Sequence, residues 1–584
     1  MIRFAFCFPD IYEIGMSHMG LHILYGLLNH MEDVACERVF APWDDMEAAL
    51  RTSGTPLFSL ENHLPLSQFH IVGFTLQYEL SYTNILNMLD LGGIPLLAAQ
   101  RGENDPLVIA GGPCACNPEP LADFIDLFVL GEGEEVTADL IRLYRDFRDQ
   151  HGNKSAFLRA AAQIPGVYVP SLYQVEHKDG AVANITPIDD APMPVVRRWI
   201  RDLDHSFYPD KPVVPYLEVV HDRAITEIQR GCARGCRFCQ AGYIYRPARQ
   251  KSPDAVNTEA RAICDAAGYD EVSLSSLSAG DYEELGALLD QMLPWTVPNR
   301  VSVSLPSLRV DSFSGDTLEK LRAVRRPGLT FAPEAGTQRL RDVINKNITE
   351  EEILTACRTA FAGGSTAVKL YFMIGLPTET MEDVAGIARL SQKIVDTFYD
   401  MPERPRGKAV SVHLGVSTFV PKAMTPFQWC GQDSLATIEE KQRFLKEEIR
   451  SRKIVYNWHD ARTSALEAAF ARGDRRLGAV LLTAFRAGCR LDGWSEHFHY
   501  DRWETAFLQH GVNISDYSNR VFTLEETLPW DHLDYGVEKR FLQTEYARGL
   551  SGNLTESCQK KCSACGIQRF EGGICVANRA CVVS

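Results

Sequence analysis

The chain has 584 residues, a net charge of −16, 45% hydrophobic and 23% charged residues. That length exceeds what one core supports and predicts about three or four domains. The charge excludes nucleic-acid binding through a global positive field. A local basic patch at Arg322, Arg325 and Arg326 stays open beside the plainer reading of a solvated helix end. No apolar run approaches the ~18 residues of a membrane span. Met1–Pro9 is too short and lacks the cleavage pattern of a signal peptide, so a cytoplasmic protein without membrane contact is expected. Sixteen cysteines in a reducing compartment point to metal rather than disulfides.

In chain order, Met1–Pro9, Ile71–Leu76, Leu107–Ala110 and Phe124–Leu130 read as strands. Met19–Leu28, Ser81–Leu91 and a segment carrying Val136, Leu140 and Leu143 read as helices. Strands alternating with helices predict a parallel, doubly wound, Rossmann-like sheet over residues 1–150, with ligands beyond the carboxyl ends of its strands. Residues 151–222 are proline-rich and read as a linker with a small sheet. A second βα series over 223–425 has strands at Ala224–Gln229, Glu271–Leu274, Arg300–Leu305, Leu329–Ala332, Ala367–Ile374 and Ser411–Phe419. Six units predict a partial (β/α)6 barrel with its chemistry at the strand C-terminal ends. Residues 426–553 read as helical, including Thr437–Arg452, Ser464–Phe470 and Leu477–Phe485, and 554–584 as a cysteine-rich tail.

Cys232, Cys236 and Cys239 form C-x3-C-x2-C directly after a predicted strand. Three thiolates on a short glycine-flanked loop suit three irons of a [4Fe–4S] cluster and leave the fourth open to a small molecule. Structural zinc is the alternative, but it wants a fourth ligand, and no Cys or His lies nearby in sequence.

This motif resembles the radical S-adenosylmethionine (SAM) superfamily over residues 223–425. Phe238 matches the aromatic position before the last cysteine. Ser275, Ser276 and Ser278 stand in place of the usual Gly-Gly-Glu segment for the SAM amino group. Glu334 resembles the element near the ribose, and Ile374 with Gly375 the motif near the adenine. The N-terminal half is similar to the cobalamin-binding domain of the cobalamin-dependent subgroup, through Gly111, Gly112 and Pro113 after one strand and Asp126 with Gly131, Glu132 and Gly133 around the next. Many cobalamin proteins use Asp-x-His-x-x-Gly, whereas this chain has Asp10, Tyr12 and Gly15. A phenol is a poor cobalt ligand and His18 reads as a capping residue, so the resemblance implies cobalamin without histidine below the cobalt. Gln77 and Tyr78 are the residues placed to face it. The alternative for this half is a nucleotide-binding or purely structural domain.

Cys558, Cys562 and Cys565 repeat the C-x3-C-x2-C spacing, with Cys575 as the favoured fourth ligand ahead of Cys581. The options are a second iron–sulfur cluster, zinc, or redox-active free thiols. The tail is too small for its own core, so metal is expected to order it.

The resemblance implies a radical SAM enzyme using a [4Fe–4S] cluster, SAM and cobalamin, with an electron donor such as flavodoxin or ferredoxin as partner. Methyl transfer to an unactivated carbon of an unknown substrate is the leading reading. A cobalamin-assisted rearrangement, RNA base methylthiolation or sulfur insertion, and a non-enzymatic cobalamin sensor are the rivals.

Overall fold

The computed structural model describes residues 1–570 except 151, 307–329, 403 and 406. Arg322, Arg325, Arg326, Cys575 and Cys581 fall outside the described residues.

The N-terminal sheet comprises β1 (Ile2–Phe8), β2 (Val34–Phe40), β3 (Ile71–Thr75), β4 (Leu107–Gly111), β5 (Leu127–Val129) and β6 (Val167–Tyr168), in the order β2-β1-β3-β4-β5-β6. All neighbours are parallel except β5 and β6. Helices Met19–His30 and Gly133–Asp149 cover one face with a core of Phe4, Phe6, Leu21, Leu28 and Val136, and Tyr82–Leu91 packs on the other. The order reverses direction between β1 and β3, which opens a crevice at their carboxyl ends.

Two features depart from the sequence expectation here. β2 did not read as a strand, because Glu37 and Arg38 interrupt its apolar run. Both are buried, Glu37 bonded to Ser59 and Asn62 and Arg38 paired with Glu61, so the sheet tolerates them. Residues assigned to a linker also hold helix Lys154–Ala162 and β6, which extends the sheet. The expected small sheet follows as the hairpin of β7 (Tyr173–Lys178) and β8 (Ala181–Pro187). Beyond it, β9 (Val195–Val196) pairs with a late strand, Leu533–Asp534.

The second series opens with β10 (Ala224–Glu227), and the short antiparallel pair β11 (Gln229–Arg230) and β12 (Arg249–Gln250) brackets the cysteine loop. β10 runs parallel to β13 (Glu271–Ser275), and β13 to β14 (Ser302–Ser304). A four-stranded parallel sheet continues with β15 (Thr330–Glu334), β16 (Ala367–Ile374), β17 (Ser411–Thr418) and β18 (Ile454–Trp458). All six expected strands are present. β18 is a seventh, inside the stretch read as helical. It pairs with β17 over five residues, while helices Leu435–Glu448, Ala461–Arg472 and Leu477–Arg486 flank and follow it as expected. Among the described residues, no helix is long and apolar enough to cross a membrane.

β19 (Leu533–Asp534) and helix Lys539–Leu550 lead into the tail. As far as residue 570 the tail packs against the body of the protein. Ile567 is buried beside Gly536, Phe570 packs edge-on against Trp199, and Glu538 N donates to the Cys565 carbonyl. Ile567 and Phe570, two apolar residues of the tail, anchor it on the body of the protein.

Candidate active site

The cysteine loop turns at Gly231, where φ is +82° and a Cβ would lie 2.4 Å from the Tyr245 carbonyl oxygen. Only glycine suits that conformation and that approach. Cys232, Cys236 and Cys239 are half-buried, whereas the cysteines of the sheets and helices are buried. Arg234 N points at Cys232 Sγ at 3.4 Å, and Cys239 N donates to the Cys236 carbonyl. Burial, reinforced by Cys236, pushes the Cys232 thiol up to about 11 and that of Cys239 to about 12. Iron must therefore displace protons, so loading is favoured by higher pH. No three His, Cys, Asp or Glu side chains among the described residues close around a single-ion position. A cubane spreads its thiolates over separate irons, and the loop chemistry fits it.

Four arginines brace this loop. Arg234 forks onto Asp281 at 2.8 and 2.5 Å. Arg237, with a fully buried side chain, reaches the carbonyls of Val343 and Asn553 and the Glu545 carboxylate. Arg246 donates to the carbonyls of Gly242 and Arg234. Arg249 belongs to the domain interface below. Phe238 packs against the cluster of Ala335, Leu340 and Leu376, tying the loop to the turns after β15 and β16. Glu334, at φ +67°, bonds Lys346. Gly375, next to Ile374 at the end of β16, has φ +81° and donates its N–H to Glu379 at 2.7 Å, and Lys441 clamps Glu379 and Asp433 at 2.8 and 2.7 Å.

A cavity of about 360 Å³ lies in the crevice of the first sheet and reaches the cysteine loop at Gly231. Its apolar wall includes Phe4, Phe6, Ile23, Leu24 and Ile109. Gly111, Gly112, Pro113, Gly131, Glu132 and Gly133 supply its turns, and Ser275 and Ser276 face it from the second series. Gly112 has φ +117°, with a Cβ position 2.7 Å from the Leu76 carbonyl oxygen. His18 and Gln77 also line the cavity. His18 Nδ1 accepts from Leu21 N at 3.2 Å and caps the Met19–His30 helix, as its sequence position suggested. Burial lowers its pKa to about 4, so the ring is neutral and carries its proton on Nε2.

Several expected site residues are turned elsewhere. Asp10 accepts from Trp494 Nε1 and from Ile11 N. Tyr12 Oη accepts from Tyr216 N and its ring packs on Phe40, while Gly15 abuts the Phe40 and Phe8 rings. Tyr78 donates to Glu467. Ser278 is buried and donates to Asp281. Asp126 pairs with Arg101 and Lys154. None of these six lines the cavity; each is engaged by other groups of the fold.

Glu132 joins the two halves. It takes a bidentate contact from Arg249 at 2.6 and 2.9 Å, a third from Arg230 at 3.1 Å, and Ile200 N. Burial would raise this carboxyl, but Arg230 and Arg249 outweigh it and hold it at about 2. Arg230 also pairs with Glu134 and Glu227. Sequence reasoning missed Arg230, Arg234, Arg246, Arg249 and Asp281. Their one signal is that the arginines crowd within a few residues of the cysteine motif.

Both halves match family models. Residues 20–170 match the N-terminal domain of radical SAM proteins, and residues 226–391 match the radical SAM superfamily. The chain belongs to the radical SAM superfamily. This radical SAM protein is 28% identical to the uncharacterised protein MJ0966 of Methanocaldococcus jannaschii, over 82% of this chain and 90% of that one. It is 25% identical to the anaerobic magnesium-protoporphyrin IX monomethyl ester cyclase of Cereibacter sphaeroides, over 46% of this chain and 41% of that one. Among solved structures, the radical SAM methyltransferase TsrM of Kitasatospora setae, with cobalamin and a [4Fe–4S] cluster bound, matches with TM-score 0.47 at 15% identity, covering 71% of this chain and 75% of that one. The cobalamin-dependent radical enzyme OxsB, with aqua-cobalamin and SAM bound, matches with TM-score 0.47 at 12% identity, covering 94% and 79%.

Proposed function

We propose that this radical SAM enzyme is cobalamin-dependent and transfers a methyl group to an unactivated carbon. Cys232, Cys236 and Cys239 would hold the cluster, and SAM would lie between the loop and the turns at Glu334 and Gly375. The carrying observation is the cavity: it occupies the crevice between β1 and β3 and ends at Gly231, beside Cys232. Gly112 and Gly131 let its turns pack tightly on the Leu76 and Arg198 backbone, and the apolar wall of Phe4, Phe6 and Leu24 suits a bulky corrinoid. His18 offers no lone pair to cobalt while its Nδ1 caps the helix. Together, the bound cofactors supply a carbon-centred radical and a methyl carrier.

The chain's own residues position and exclude water. Phe238 holds the loop against the SAM turns, and the Glu132–Arg249 pair fixes the first sheet over it. Phe4, Phe6 and Leu24 keep the crevice apolar. A small electron donor, flavodoxin or ferredoxin in kind, would complete the system.

Anaerobic protein should bind added cobalamin, and a Co(II) resonance spectrum should lack nitrogen coupling from protein. Leu24→Trp, which fills the cavity, should abolish that binding while leaving cluster iron unchanged. Unimpaired binding in that variant would place the corrinoid elsewhere. Label from the SAM methyl group, traced after incubation with cell extract, should appear in a new carbon-bound product, and label confined to a sulfur-bound methyl would overturn the methyl-to-carbon reading.

A further inference from the structure

The tail thiols lie against the cysteine loop. Cys558 N donates to the Ala233 carbonyl at 2.9 Å, one residue from Cys232, and Gln559 Nε2 donates to the Asp281 carbonyl at 3.1 Å. At the other end, Glu538 N bonds the Cys565 carbonyl, and Gly566 adopts φ +90° where a Cβ would strike the Glu538 side chain at 2.4 Å. Both ends of the second C-x3-C-x2-C are thus fixed by the body of the protein. Between them Ala564 N points at Cys562 Sγ at 3.4 Å, as Arg234 N points at Cys232 Sγ in the first loop.

Arg246 supplies an independent sign. Its residue is 3% exposed, and its guanidinium lies against Cys558 and Cys565. Nε and Nη2 donate to loop carbonyls, which leaves the Cys565 sulfur as the further acceptor beside the guanidinium. Anionic sulfur in a metal–thiolate centre is a stronger acceptor for such a buried cation than a neutral thiol.

We infer that Cys558, Cys562 and Cys565 hold a second iron–sulfur cluster, of the [4Fe–4S] class, packed beside the cluster loop with Arg246 donating to its sulfur. This centre is independent of the cobalamin and methyl-transfer reading, and it stands or falls separately. An iron–sulfur centre is favoured over zinc because the spacing copies that of the first loop, and three thiolates serve a cubane with one open iron, whereas structural zinc takes four protein ligands.

The test is metal and sulfide analysis of the full chain after anaerobic reconstitution with iron and sulfide. Wild type should carry about eight irons per chain. The variant with Cys232, Cys236 and Cys239 replaced by Ala should keep about four, with a [4Fe–4S] Mössbauer signature. The variant with Cys558, Cys562 and Cys565 replaced by Ser should fall to about four, which gives a second reading should the first variant fold poorly. Wild type holding only about four irons, or a folded loop variant holding zinc or no metal, would overturn the inference. Loss of cobalamin binding would leave it untouched.

Discussion

Glu132→Gln tests whether one buried carboxylate holds the radical SAM domain to the first sheet. The substitution keeps the shape and removes the charge. Arg230 retains Glu134 and Glu227, but Arg249, whose side chain is 2% exposed, loses its only carboxylate partner in the described structure. Two routes give the magnitude. A carboxyl held at about 2 against its ordinary 4.5 stores roughly 3 kcal/mol at neutral pH, unscreened by solvent because the side chain is 2% exposed. Breaking a buried pair by removing one partner costs about 3–5 kcal/mol. The folded-state value is depressed, so the contribution is fully present above the unfolded pKa and fades as pH falls from about 4.5 toward 2. Urea unfolding followed by tryptophan fluorescence should therefore show Glu132→Gln destabilised by about 3 kcal/mol at pH 7.5, with the gap to wild type narrowing below pH 4.5. A loss under about 1 kcal/mol at pH 7.5, or a gap independent of pH, would refute the argument that the charge itself makes the latch.

Replacing Cys232, Cys236 or Cys239 by Ala should abolish deoxyadenosine release under reducing conditions, and normal release by any one variant would remove it from the ligand set. Lys441→Met should weaken SAM binding about tenfold with cluster iron unchanged, because Glu379 then loses the cation that steadies its grip on Gly375 N; equilibrium binding measures it, and an unchanged dissociation constant refutes it. Asp492 accepts from Thr83 and Trp503, and burial raises its pKa to about 6. Its folded form binds a proton that the unfolded chain has released, so it costs stability as pH rises from about 4 to 6. Asp492→Asn should stabilise the protein at pH 8 by up to about 3 kcal/mol and have little effect near pH 4, read as a shift in urea midpoint.

How much was legible in the sequence follows from how far apart the cooperating residues lie. The cysteine motif is complete within eight residues, and its ligand chemistry needs no partner from elsewhere. β1, β3 and β4 announce themselves because each is a nearly continuous buried apolar run, and β16 because its residues alternate between exposed and buried up to Gly375. The glycine turns at Gly112 and Gly131 were readable for the same reason, since local backbone conformation demands them. β2 and β18 were not readable: Glu37 and Arg38 are accommodated by Ser59, Asn62 and Glu61, and β18 is a strand because β17 lies alongside it.

The directions of Asp10, Tyr12 and Tyr78 were also beyond the sequence, because each hydrogen bond is chosen by whichever group the fold brings near. Trp494, which holds Asp10, is 484 residues away, and Glu467, which holds Tyr78, is 389 away. The Glu132–Arg249 latch spans 117 residues and exists only where two sheets face each other. The sequence by itself determined the candidate ligand motif and the strands whose burial is continuous, since both are written in neighbouring residues. Tertiary structure alone decided which polar groups face the cavity and how the two halves close over it, since those choices depend on desolvated partners that no local pattern encodes.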